Sequence, residues 1–145
     1  MTEAVVSAPM PLPLSQSKER TWAMLAHLSV LTNLFTGFLG PVAALLIYLI
    51  FSARSKYVAY HAMQSFLFQL VVWCGIGIMW GFVGLSSVLI IGLLLIPVAC
   101  VLTPIFLLGM ALAPIYGVIG AVKTSQGEDF QYWWVGEWVR GTLSE

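Results

Sequence analysis

The sequence predicts an all-α, polytopic membrane protein with four hydrophobic helices and a C-terminal interfacial segment. The first two helices are short enough to form a hairpin. Three observations carry this reading. Of 145 residues, 60% are hydrophobic and 8% are charged, against about 45–50% apolar and about 25% charged in a soluble domain. From Tyr57 to Val122 there is no Asp, Glu, Lys or Arg, a stretch long enough for two long spans or three standard ones. The basic residues fall in only some of the loops, as they do when one side of a membrane is cytoplasmic.

The chain divides into three parts. Residues 1–17 contain Pro9, Pro11 and Pro13 and no apolar periodicity, which is expected of a disordered tail. They lack the basic start and apolar core of a signal peptide. Residues 18–127 form the four-helix transmembrane domain, and residues 128–145 an aromatic interfacial segment. The formal net charge of zero offers no basic patch for nucleic acid and no polybasic cluster for anionic lipid.

Helix one is expected over Trp22–Phe35, with Thr21 as cap and Trp22 at the interface. Thr36–Pro41 is a turn signal, with Pro41 opening the second helix, which runs to about Phe51. At 1.5 Å per residue these helices rise about 20 Å, short of a core of about 30 Å, so the hairpin spans thinned bilayer or is re-entrant. Ser52–Lys56 is a charged loop. The third helix is expected over about Tyr57–Trp80, a turn over Gly81–Ser87, and the fourth helix over about Val88–Val122, with Gly92, Pro97, Pro104 and Pro114 as places to kink or break. With four segments, Lys18, Arg20, Arg54, Lys56, Lys123 and Arg140 all lie on one side. The positive-inside rule then puts both termini in the cytoplasm.

Three groups of residues stand out. His61, Gln64, Ser65 and Gln69 share one helix face; a polar stripe entering an apolar segment faces protein rather than lipid. With His27 and Asn33 of helix one, the residues His61, Gln64 and Gln69 are expected to form an intramembrane polar network that fixes helix register, at about 0.6–2 kcal/mol per hydrogen bond. Gly109, Ala113, Gly117 and Ala121 form a ridge of small residues for close helix packing, either within the subunit or between copies. Tyr132, Trp133, Trp134 and Trp138, interleaved with carboxylates, are expected to anchor the C-terminal segment in the cytoplasmic headgroup layer or to form a partner surface.

No catalytic constellation is present: Ser29 and Ser65 lie near the histidines, but no intramembrane carboxylate orients a base. No metal site or resident cofactor is indicated. Cys74 and Cys100 read as free core residues.

Four stretches carry a family likeness. Arg20-x-Trp-Ala-Met-Leu-Ala-His27-Leu-Ser29, Gly40-Pro41 with Tyr48-Leu-Ile, the segment Tyr57–Gln69, and Ile119-Gly-Ala-Val-Lys123 with Gly127-Glu-Asp-Phe-Gln-Tyr132 resemble the motifs of a Tic-twenty-like family of bacterial membrane proteins. That family is distantly similar to a chloroplast inner-envelope protein-import component. Ser65, where a small apolar residue is common, and Tyr132-Trp-Trp, in place of the usual Tyr-Pro, depart from its pattern. The resemblance implies a four-helix fold in a bacterial plasma membrane and a link to protein translocation or assembly. The function expected is that of a non-enzymatic subunit or scaffold in a larger membrane complex, with the lipid bilayer and a protein partner or second copy as its contacts. A homo-oligomeric channel or small-solute transporter is the alternative. A pigment or haem binder, ligated by His27 or His61, is a third reading.

Overall fold

The computed structural model describes residues 12–143 of the chain. Most of the expected N-terminal tail, residues 1–11, lies outside them. The described residues are helical, without strands: α1 (Gln16–Leu28), a 3-10 turn (Ser29–Thr32), α2 (Asn33–Thr36), α3 (Leu39–Phe51), α4 (Lys56–Ser87), α5 (Ile91–Gln126) and α6 (Val135–Leu143).

Two of these helices, α4 and α5, are long and apolar enough to cross a membrane, and α3 is a shorter apolar helix. Of the four hydrophobic helices expected, two are thus long and apolar enough to span; α3, at 13 residues, is apolar but shorter, and α1, also of 13 residues, carries Gln16, Lys18, Glu19 and Arg20 in its first half. At 1.5 Å per residue α4 is roughly 48 Å long and α5 roughly 54 Å. Both exceed a hydrocarbon core of about 30 Å, so the hairpin tilts or projects beyond it.

The local chemistry explains where each element starts and stops. The first helix begins at Gln16, ahead of the cap expected at Thr21, whose hydroxyl instead donates back to the Ser17 carbonyl at 3.0 Å. It breaks after Leu28 because hydroxyls compete for its carbonyls. Ser29 donates to Ala26 O, Thr32 to Ser29 O and Thr36 to Thr32 O, each at 2.7 Å, and such back-bonding tightens and bends a helix. Gly37, at φ 77°, ends α2 in the left-handed conformation that glycine tolerates best. Pro41 falls in the first turn of α3, where a missing N–H costs nothing. Ser55 caps α4 by accepting from Val58 N at 3.2 Å, while its hydroxyl donates to Glu19 of α1 at 2.6 Å. One side chain thereby ties the start of α4 to the first turn of α1.

The turn expected over Gly81–Ser87 lies later, at Val88–Ile90. An isolated backbone in an apolar environment satisfies itself best as helix, so Gly81 and Gly84 stay inside α4. Gly92 closes the hairpin: a Cβ there would collide with Val83 O and the Ser87 backbone. The prolines of α5 at 97, 104 and 114 do not break it; in lipid a break would expose more unpaired backbone than the prolines already do.

The helices α1 and α3 cover one end of the hairpin, where α3 packs on α4 and α1 packs on both α4 and α5. All six basic residues belong to that end: Lys18 and Arg20 on α1, Arg54 and Lys56 at the α3–α4 junction, Lys123 late in α5, Arg140 on α6. The far half of the hairpin, from Ile78 to Leu108, shows most of its large apolar side chains on the outside. Cys74 and Cys100 are unpaired, and Cys100 is exposed rather than in the core. The apolar core is made mainly of alanines, among them Ala23, Ala26, Ala44, Ala59, Ala62, Ala113 and Ala121. Small residues let helix backbones approach without a large apolar driving force.

Three residues of the Gly109, Ala113, Gly117 and Ala121 ridge face the interior. Ala113 and Ala121 are buried, and a Cβ on Gly117 would meet Val30 and, at 3.0 Å, the carbonyl of His27. A Cβ on Gly109 would lie 4.0 Å from Val72 of α4, so this position has room. Gly117→Leu is expected to push α1 off α5. Overpacking of this kind costs about 1–3 kcal/mol, so thermal unfolding in detergent should fall by several degrees. Gly77→Leu, where a Cβ meets nothing within 4 Å, should leave unfolding unchanged.

Candidate functional site

The largest fully buried side chains of this protein are polar or amphipathic: Tyr132, His27, His61, Gln64 and Gln69. They form two adjoining clusters between α1, α4 and the segment that follows α5.

That segment is redirected by Gly127. Its φ of 83° ends α5, with Glu128 N donating to Lys123 O and Gly127 N to Thr124 O, both at 3.0 Å. Residues 128–134 then run back over the bundle as an irregular strap leading into α6. Gln64 holds the strap by its backbone: its Oε1 accepts from Tyr132 N at 3.1 Å and its Nε2 donates to Phe130 O at 3.0 Å. Trp133 N donates to the Tyr116 hydroxyl at 3.1 Å. The Tyr132 ring stacks on Phe68, centroids 4.3 Å apart and planes 7° from parallel. Outside, Arg140 of α6 bridges Asp129 at 2.7 Å and the Tyr60 hydroxyl at 3.2 Å.

The two backbone bonds fix which end of the Gln64 amide is which, and this assigns the protons of the cluster. Gln64 Nε2 also lies 2.9 Å from His61 Nδ1 and must donate to it. His61 Nδ1 is therefore an acceptor, and the proton of its neutral ring sits on Nε2. His27 Nε2, 3.1 Å from the same Nδ1, is a second donor, sharing that atom's single lone pair in a three-centre bond. His27 Nδ1 is then an acceptor, and the Tyr132 hydroxyl donates to it at 3.1 Å. Burial pushes the Tyr132 phenol far above its ordinary range, against a smaller opposing effect of Ser65. The hydroxyl remains protonated and able to donate.

In the second cluster Asn33 Nδ2 donates to Gln69 Oε1 at 3.0 Å, and Asn33 Oδ1 accepts from Gly40 N at 2.7 Å. Gly40 has no room for a Cβ, which would overlap both amides. Gln69 Nε2 donates to Ser29 at 2.9 Å and to Ser65 at 3.1 Å. Both hydroxyls donate in turn to Ala26 O at 2.7 Å, so neither is held by an imidazole that could activate it. His27, His61 and Gln64 thus belong to one cluster, Asn33 and Gln69 to the other, and Ser29 and Ser65 lie between them.

Sequence reasoning missed the strap as part of this core. Of the four aromatic residues expected at the interface, Tyr132 is 0% exposed, whereas Trp133, Trp134 and Trp138 are 88%, 71% and 64% exposed. The reason is Gln64, whose amide matches the backbone groups of Phe130 and Tyr132. Among the described residues no group of three or more His, Cys, Asp or Glu side chains could hold a metal ion. Both ring nitrogens of His27 are engaged. At His61 only the protonated, buried Nε2 is left. Neither ring offers the free lone pair an axial haem ligand needs.

Exposed apolar helices around a buried hydrogen-bonded interior define a small all-helical integral membrane protein. The sequence model of the magnetosome magnetite crystal formation protein family (MamF/MmsF) matches residues 18–139. The chain belongs to that family. This corrects the Tic-twenty-like resemblance, whose motifs lie within the matched region, and with it the translocation link drawn from that resemblance. Neither curated proteins nor solved structures give a significant match.

Gln64→Leu should free the strap. It leaves Phe130 O and Tyr132 N unpaired, at about 1–3 kcal/mol for each buried group. The outcome expected is faster chymotryptic cleavage at residues 132–134, with α4 and α5 still protected. His61→Leu removes the one acceptor shared by His27 and Gln64 and should lower thermal stability in detergent by a similar amount.

Proposed function

We propose that this chain is a non-enzymatic membrane protein that takes part in magnetite crystal formation, as a subunit or scaffold of a larger assembly in the magnetosome membrane. The observation that carries the reading is the placement of polarity. His27, Gln64, Gln69 and Tyr132 spend their polar groups inside, holding the strap and the helices together, while the far half of the α4–α5 hairpin is apolar and unpartnered within the chain. A side chain already committed to packing is not free for proton transfer or ligand exchange. An uncovered apolar surface is suited to lipid and to other membrane helices.

In this reading the chain keeps four hydrophobic helices. The hairpin of α4 and α5 crosses the membrane, α1 and α3 enter it from the basic end, and both termini are cytoplasmic. The far-side turns, residues 37–38 and 88–90, then carry no charged side chain. With no charged side chain in those turns, the chain offers no carboxylate there to a mineral growing on that side, so in this reading it acts on the crystal through the proteins it assembles with. The channel and haem readings have no comparable support: Phe106 fills the seam at Gly75, and the imidazoles are committed as described.

Cysteines introduced at Ser17, Phe38, Leu89 and Gly141 map the arrangement. Impermeant thiol reagents should reach residues 17 and 141 from one side and residue 89 from the other; labelling of 17 and 141 from opposite sides overturns the topology. Deleting the gene from a magnetite-forming host should change crystal size or shape under electron microscopy, and a stable membrane partner should co-purify with the wild-type chain. Normal crystals in the deletion strain would defeat the role. Solute flux through the purified chain in liposomes would favour the channel.

A further inference from the structure

Four carboxylates belong to the described residues, and three are engaged. Glu19 accepts from Ser55 at 2.6 Å, Glu128 pairs with Lys123 at 3.4 Å, and Asp129 with Arg140 at 2.7 Å. Glu137, in the first turn of α6, is the carboxylate left over. It lines a cleft of about 300 Å³ with Tyr116, Gln131, Tyr132, Trp133 and Trp134. No Lys or Arg lines this cleft.

The cleft adjoins two apolar grooves. Tyr116 is shared with one of about 360 Å³ that runs between α4 and α5 past Phe68, Val72 and Leu112. Trp134 is shared with one of about 210 Å³ between α4 and α6, lined by Leu67, Val71 and Trp138. Trp134 has φ 67°, a conformation that a bulky residue adopts only under strain and that occurs preferentially at functional sites. Its indole stands exposed where the cleft meets the second groove.

One polar cleft with two apolar grooves beside it has the shape of a two-chained lipid. An uncompensated carboxylate between exposed indoles selects the headgroup, since aromatic faces and a carboxylate both attract an ammonium group and the carboxylate repels an anionic one. We propose that residues 116 and 131–138 form a binding site for a phospholipid with a primary-amine headgroup. The ammonium donates to Glu137 and lies against Trp133 and Trp134, and the acyl chains occupy the two grooves. Indole N–H groups and the Gln131 amide are available to the phosphate and ester oxygens. This site is independent of the assembly role.

The test uses the full chain purified into nanodiscs that contain equal amounts of phosphatidylethanolamine, phosphatidylcholine and phosphatidylglycerol. Lipid retained after mild delipidation is read by native mass spectrometry. Retention of the ethanolamine lipid should exceed that of the glycerol lipid by roughly tenfold, the scale of a cation–π contact added to a charge contact. Glu137→Gln should abolish this preference. The substitution removes no contact within the chain, so its thermal unfolding should match the wild type and confirm that the fold is intact. Equal retention of all three lipids would reduce the site to ordinary boundary lipid and overturn the proposal. An unchanged preference in Glu137→Gln would also overturn it. Equal retention of the choline and ethanolamine lipids would overturn the hydrogen-bonded contact to Glu137.

Discussion

The interaction on which the structure depends is the grip of Gln64 on the strap backbone. A single amide meets one N–H and one C=O of a segment that has no secondary structure of its own. Backbone without secondary structure needs other groups to satisfy it where it is buried, and here the satisfying group is a side chain of the central helix. The same amide orients His61, His61 receives His27, and His27 receives Tyr132. The chain of donors begins and ends on the strap. Three elements far apart in sequence are therefore held in one register by a set of bonds in which each proton position follows from the last.

The distribution of burial follows from the solvent. In water, a chain hides its large apolar side chains. Here the helices meet through alanine and glycine, and the side chains hidden most completely are His27, His61, Gln64, Gln69 and Tyr132. Lipid tails are as apolar as leucine, so apolar burial between helices gives little, whereas hydrogen bonds and close contact give specificity. Ala113, Gly117 and Ala121 bring α1 near enough to α5 for His27 to reach the strap. The ridge and the polar core are thus two parts of one device, and neither positions the strap without the other.

Much of the fold was legible in the sequence because membrane solvation leaves few choices. Low charge and the uncharged run from Tyr57 to Val122 identified the class, and the spacing of His61, Gln64, Ser65 and Gln69 identified the face turned inward. Gly37, inside the expected Thr36–Pro41 turn, marked a real helix end. The position of the α4–α5 turn was not legible, because Gly81 and Gly84 signal a turn in water and are tolerated in a helix among lipids. Nor was the strap: nothing local to Phe130 or Tyr132 shows that their backbone will be taken up by a residue more than sixty positions earlier. Tyr132 and its neighbour Trp133 look alike as interfacial aromatics, yet one is inside and the other outside. The family likeness drawn from short motifs also failed, since motifs of this kind record helix packing more directly than they record role.

The order in which the chain is made gives the strap a further meaning. A ribosome delivers α1 through α5 to the membrane before residues 128–134 have emerged. During that interval Gln64 and His27 lie within an apolar environment with part of their hydrogen bonding unmet. The helical domain can insert but cannot finish. Its last polar contacts wait for residues 128–134, so a chain interrupted before them would hold amide and imidazole groups with part of their hydrogen bonding unmet. The strap thus sets an order of assembly: Gln64 and His27 complete their hydrogen bonding only once the segment behind α5 has folded back onto them.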